Sequence, residues 1–189
     1  MLNSIRLSCM STLLGKKMDD HISIQRLTRE SNNCGIKARV SRLWDAYNLK
    51  NKKDIISTDM VLIDVEGSYI HASIKGSWAH AFRNSIVEGS VYYIKNFAVV
   101  DNKNRYRVVG DNKVMIQLYA NSTVKRLPDD TSNIPMHRFD LLPFDMVETR
   151  MNQEYILTDV VGHVCSEGTI EEKHIHNGAL PYALLQDKR

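Results

Sequence analysis

The residues with chemistry to offer are mostly bases. In KNRYR, Lys103, Arg105 and Arg107 surround Tyr106, so cations and an aromatic ring share one short segment. Lys50, Lys52 and Lys53 sit together in DAYNLKNKKDIIST. Between Ile36 and Arg126, fifteen Lys and Arg face eight Asp and Glu, a balance of +7. From Leu127 onward, five bases face eleven acids, a balance of −6, although the whole chain carries only +3. A basic block followed by an acidic one points to a polyanionic partner for the first. A solvated basic face with no partner accounts for the same charges.

Other chemistries find less support. His163, Cys165, His174 and His176 suggest a metal, but their H-x-C and H-x-H spacings are not those of a zinc finger, and only one of the four is Cys. No metal and no other cofactor is expected. There is no phosphate-cradling glycine loop, no nucleophile elbow and no HExxH, so the chain does not read as an enzyme. The pairs Asp129-Asp130 and Glu171-Glu172 lie in loop-like surroundings and read as solvated. Cys9, Cys34 and Cys165 are odd in number and far apart, which is no disulfide framework and fits a reducing compartment. No run approaches the roughly 18 apolar residues that span a bilayer.

The elements that must position these residues are short. GIKARVSRLW, Gly35–Trp44, alternates Ile36, Ala38 and Val40 with Lys37, Arg39 and Ser41, as a half-buried strand does, with a bend near Trp44. The polar stretch after it predicts a long loop. Asp59–Val65 and Tyr69–Lys75 predict two strands joined at Glu66-Gly67-Ser68, a hairpin with Gly67 free to take positive φ. In Ser77–Val87, Trp78, Phe82 and Ile86 recur at helical spacing, with Ser77 as N-cap and Gly89 as terminator. The same spacing makes Trp78 a core residue. Strands follow at Val91–Val100, Arg105–Val109 and Val114–Tyr119. If Tyr106 faces outward from its strand, Arg105 and Arg107 face the other way.

Many short strands with one helix after the third predict an all-β fold: a five-stranded Greek-key OB-fold barrel with a short helix between strands 3 and 4, plus a partial C-terminal extension. A β-sandwich has no need of a helix there. The loop after the first strand flanks the binding face of such barrels, which would set Lys50, Lys52 and Lys53 against phosphates. A merely soluble loop explains them too. Residues 1–21 read as an irregular leader, with an organelle-targeting peptide as the alternative because the first seventeen residues lack acids. Residues 22–147 read as the barrel domain. Residues 148–189 read as a linker and the start of a further OB-fold, or a tail. Within LPDDTSNIPMHRFDLLPFDMVET, Ile134, Phe139, Leu142 and Phe144 are candidates to wrap an extended segment on the barrel, and Tyr155–Val164 is strand-like again.

Three stretches together carry a resemblance: IKARVSRLWDAYN, MVLIDVEGSYIHASI and FRNSIVEGSVYYIKNFAVV. They resemble the first DNA-binding OB domain of the replication protein A large subunit, in the divergent form found in plants. HRFDLLPFDMV resembles the linker leaving that domain, and YILTDVVGHV the opening strand of the next; the likeness runs from about Ile22 to Val164. It implies binding of single-stranded DNA, with RNA as a further candidate, through a basic groove and stacking rings. It implies a place in DNA replication, repair or recombination, in the nucleus, with other replication protein A subunits as partners and no membrane. Carried over residue by residue, it assigns Arg39 and Arg42 to the groove near the first loop, His71 to a basic position of the hairpin and Tyr106 to a stacking role. Lys75 departs from the pattern: a ring is expected there, and a lysine contacts phosphate but stacks poorly. Trp44 or Trp78 could compensate. Trp44 matches a recurrent tryptophan that could equally be structural.

Two readings of function stay open at this level. In one, the barrel holds single strands. In the other, it is an OB-fold protein-interaction module that has lost most strand binding, as Lys75 and the acidic, proline-containing tail would suit.

Overall fold

A computed structural model describes residues 21–31, 34–48, 50–51, 54–104, 106–128, 133–150, 153 and 155–163. These fall into two compact units, one of residues 21–139 with 153–157 and one of 140–150 with 158–163.

The first unit is a closed five-stranded barrel. Its strands are β1 (Gly35–Tyr47), β2 (Ile55–Ile63), β3 (Tyr69–Lys75), β4 (Val91–Asp101) and β5 (Val114–Leu127), ordered β1-β2-β3-β5-β4 around the ring. One helix, α1 (Gly76–Phe82), lies between β3 and β4. This is the predicted OB-fold order. β1 closes the ring because it serves two partners. Its first half, Gly35–Arg39, pairs antiparallel with β4; from Arg39 to Tyr47 it pairs with β2. The changeover sits beside a register shift between Val40 and Arg42, a bulge of the kind that bends a strand. β3 and β5 pair in parallel and β5 returns antiparallel along β4, with a further irregularity where Asn96 takes φ 58°, a left-handed geometry that asparagine tolerates.

Alternation fills the interior as the period-2 pattern dictates. Ile36, Ala38, Val40, Met60, Leu62, Ile70, Ala72, Ile74, Tyr92, Ile94, Ile116 and Leu118 are buried in one cluster. Phe82 of α1 and Ile86 after it join that cluster, with Trp78 packed against its edge, so the helical spacing read from the sequence is the face that covers the core. The β2–β3 hairpin turns through Gly67 at φ 74°. Asp64 fixes this turn: its carboxylate accepts from the Glu66 and Ser68 backbone N–H groups at 3.0 and 2.8 Å and from Ile24 N–H at 2.8 Å. The same residue therefore ties the 3₁₀ turn Ile24–Arg26 to the hairpin.

Several expected elements differ. The helix spans Gly76–Phe82 rather than running to Val87, and Lys75, not Ser77, is its N-cap. Arg105–Val109 is not a strand: of its described residues, only Arg107 makes an isolated bridge, and the chain there is a loop closed by Asn102 N–H to Lys113 O at 2.8 Å. β5 instead begins at Val114 and runs well past Tyr119. Tyr155–Val164 is not a strand among its described residues; Ile156 bridges Arg107 and Asp159 bridges Leu141. Of the apolar residues expected to wrap, Ile134 is buried with Ile63 and Val91, whereas Phe139 and Phe144 are 58% and 63% exposed. The leader falls outside the described residues, apart from His21, whose bridge to Gly35 is described.

In the second unit, the Asp140 and Leu142 N–H groups donate to Asp159, and a 3₁₀ turn covers Phe144–Arg150.

Candidate nucleic-acid interface

Ladder register places the outward side chains of β1, β2 and β3 in transverse rows. Arg42, Val61 and His71 form one, Trp44, Asp59 and Ser73 the next, and Ala46, Ser57 and Lys75 the last. Trp44 reaches this face only because of the bulge. Ile36, Ala38 and Val40 point inward, so unbroken alternation would send Trp44 inward too. One extra residue at Ser41 reverses the phase, and Leu43 packs against the core while Trp44 turns outward.

At the centre of the face is a polar cluster under a ring. Trp44 stacks on His71 with centroids 5.8 Å apart and planes 21° from parallel. His71 is buried; its Nε2 lies 3.1 Å from Asp59 Oδ1 and its Nδ1 3.3 Å from the Asn104 amide nitrogen. With Asn104 donating to Nδ1, Nε2 carries the proton given to Asp59. Asp59 also accepts from the Ser57 hydroxyl at 2.6 Å. Burial raises the pKa of Asp59, but hydrogen bonds from His71, Ser57 and Ser73 outweigh it and hold the carboxyl below its usual value. The cluster is fully bonded and rigid, a fixed floor under Trp44.

The loop between β4 and β5 hangs from this floor through Asn104. Tyr106, two residues on, is 55% exposed. A hollow of about 530 Å³ is lined by Ser73, Met115 and Gln117 of the sheet and by Lys103 and Asn104 of the loop. The far side of the loop is held by Gln153–Leu157: Arg107 N–H donates to Tyr155 O at 2.6 Å, Leu157 N–H donates to Arg107 O at 3.2 Å, and the Arg107 guanidinium pairs with Asp111.

The residues singled out from the sequence are only partly brought together. Arg42, His71 and Lys75 share the β1–β2–β3 face, with Tyr106 on the adjoining loop. Arg42 is half-exposed, 3.5 Å from Glu88 and 3.3 Å from His137 Nδ1. Lys75 is exposed, its Nζ 5.8 Å from the Trp78 ring centroid. Lys50 is exposed on the loop after β1. Lys52 and Lys53 lie outside the described residues, as do Arg105, Cys165, His174 and His176. Arg39 has a different occupation. It is 7% exposed and donates to Ile134 O at 3.1 Å and Gly89 O at 2.5 Å, holding the segment after β5 across the barrel. Arg138 continues that strap, its guanidinium 4.4 Å from the Tyr69 ring centroid. Asn104 was not singled out from the sequence; nothing local marks an asparagine whose partner is 33 residues away.

The family model "Domain of unknown function DUF223" matches residues 25–150. The chain belongs to this family. Among curated relatives of this DUF223 chain, a replication protein A 70 kDa DNA-binding subunit of rice (Oryza sativa subsp. japonica) is 29% identical over 159 residues, covering 81% of this chain and 24% of the relative. A 70 kDa DNA-binding subunit of replication protein A from Arabidopsis thaliana is 27% identical over 180 residues, covering 88% and 21%. The chain thus spans about a quarter or less of the length of the curated relatives it matches. A solved replication protein A heterotrimer bound to single-stranded DNA superposes with a TM-score of 0.51 at 20% identity, over 68% of this chain and 29% of that one. The likeness to it is one of fold.

Proposed function

We propose that this barrel binds single-stranded DNA along the outer face of β1–β2–β3 and the β4–β5 loop, and that it acts by binding rather than catalysis. The observation that carries this reading is the open face itself, where the rigid Trp44–His71–Asp59 floor lies between exposed Lys75 and the Tyr106 loop. Rings in such a groove take bases, and flanking cations take phosphates. Tyr106 is the stacking ring, with Trp44 beneath the same path. Arg42, Lys50 and Lys75 are the phosphate contacts, with Lys52 and Lys53 adding to Lys50. His71 serves as the fixed support of Trp44, and Arg39 as the anchor of the strap. The relatives' names, DNA-binding subunits of replication protein A, support a role in DNA replication beside other such subunits; repair or recombination and a nuclear location belong to the same proposal. Residues 22–147 are proposed as the binding domain.

Titration of labelled oligo-dT with the purified chain, read by anisotropy at low salt, tests this. Saturable binding that weakens with salt is the expected result. Absence of binding by a chain whose circular dichroism shows an intact fold would overturn it, and capture of a protein partner instead would favour an interaction module. Oligo-rU in parallel decides between DNA and RNA.

A further inference from the structure

The outer face of the barrel does not end at β3. β3 and β5 pair in parallel, with Ser73 beside Gln117 and Ile74 beside Leu118. Ile74, Ile116 and Leu118 point into the core, so Gln117 and Tyr119 point out with Ser73 and Lys75. Gln117 thereby extends the row of Trp44, Asp59 and Ser73, and Tyr119 extends the row of Ala46, Ser57 and Lys75.

Tyr119 has fixed neighbours. Its backbone N–H donates to Ser122 Oγ at 2.9 Å, and the Ser122 hydroxyl donates to Asn96 O at 2.6 Å, which ties this part of β5 to the irregularity in β4. Trp78, from the first turn of α1, packs against the core and meets the Tyr119 ring edge to face, with centroids 5.4 Å apart and planes 62° apart. Aromatic quadrupoles favour that geometry, so Trp78 braces Tyr119 from the side. The Lys75 ammonium stands 5.8 Å from the Trp78 centroid, within cation–π range. Both rings are half-buried rather than enclosed.

We propose that Tyr119 is a further stacking platform for the bound strand, braced by Trp78, with Lys75 on the neighbouring phosphate. The inference rests on the groove reading above and carries the strand's path across the seam between β3 and β5. A ring already held in place loses little freedom when a base covers it. A phosphate beside Lys75 gives the ammonium a charged partner in place of the Trp78 ring. Any base can lie on a tyrosine face, so the platform adds affinity without sequence preference.

The test titrates oligo-dT of about 12 nucleotides, within the span of one OB-fold, into the full chain at low salt, read by anisotropy. Tyr119→Ala, with circular dichroism matching the wild type, is expected to bind about 5- to 150-fold more weakly, and Tyr119→Phe within about twofold of the wild type. Trp44→Phe leaves Trp78 as the one tryptophan of the chain, and its emission is expected to be quenched as the same oligonucleotide saturates that variant. A wild-type chain that does not bind would overturn the groove itself. A wild-type chain that binds, with an unchanged Kd in Tyr119→Ala, overturns the platform and leaves the groove standing. Tyr119→Phe as weak as Tyr119→Ala overturns it too, because the hydroxyl rather than the ring face would then carry the contact. If Tyr119→Ala loses its fold, the Trp78 emission decides: quenching supports the platform, and constant emission at saturation overturns it.

Discussion

Lys75→Phe separates charge from stacking at one position. Lys75 is exposed at the end of β3, in the row of Ser57 and Ala46, and its backbone caps α1 without using its side chain. The substitution therefore leaves the fold alone while changing what the strand meets. A ring in the groove adds on the order of 1–3 kcal/mol per stacked base. Loss of the ammonium removes one phosphate contact, about 0.7 from the salt slope, which at 0.1 M amounts to about fivefold or 1 kcal/mol. The two effects oppose each other at low salt and separate at high salt. Plots of log K against log salt for oligo-dT should cross, with the variant shallower by about 0.7. A stacking gain of about 1 kcal/mol puts the crossing near 0.1 M, and a larger gain moves it lower. At about 0.5 M the variant should bind more tightly than the wild type. Anisotropy titrations at four or five salt concentrations measure both quantities. Parallel lines would show that Lys75 touches no phosphate. A shallower line that never crosses would show that a ring here meets no base.

Three further outcomes follow from the geometry. Tyr106→Ala should weaken oligo-dT binding by about 5- to 150-fold, the equivalent of one stacked base, in a chain whose circular dichroism matches the wild type; an unchanged Kd would remove Tyr106 from the interface. Ile134→Ala should cost about 2–4 kcal/mol in urea unfolding, because Ile134 is 4% exposed against Ile63 and Val91; a loss below about 0.5 kcal/mol would mean that the strap is not part of the folding unit. The Asp59 carboxyl is held below its unfolded value of 3.8, so it adds stability that is complete above that pH and lost as pH falls through the folded-state value. Asp59→Asn should therefore flatten the fall in urea midpoint between pH 4 and pH 2, and an equally steep fall in the variant would show that Asp59 does not contribute to it.

Much of the barrel could be read from period-2 patterning, because one face of each strand is buried and the other is not. The hairpin illustrates why: Ile70, Ala72 and Ile74 against Tyr69, His71, Ser73 and Lys75 leaves one register that buries the apolar set. Arg105–Val109 misled for the complementary reason. RYRVV alternates, but of its described residues it is Val109 that reaches the interior, at 1% exposure, after the chain has turned into a loop that Gly110 continues at φ 44°. With no strand there, alternation no longer sets Arg107 opposite Tyr106; Arg105 lies outside the described residues. Arg39 shows a different limit. Alternation placed it correctly on the outside of β1. What covers it there is Ile134, 95 residues later, and no local pattern announces so distant a lid.

The bulge at Ser41 is what makes the candidate site possible. Arg39 and Arg42 look like one basic cluster in the sequence, and both do point outward. Three residues apart, they can share a face only because one residue is added between them. The same insertion marks where β1 leaves β4 for β2, so it divides the outer surface as well as the strand. Before it, Lys37 and Arg39 belong to the β4 side, where the strap lies. After it, Arg42 and Trp44 belong to the β2–β3 side. Were Ser41 paired in regular alternation with no bulge, Trp44 would turn into the barrel, while His71 and Asp59 would lose their cover. An unscreened His–Asp pair would then face water, and the rigid floor on which a base can rest would be gone. One backbone irregularity thus sets both the closure of the barrel and the identity of the groove.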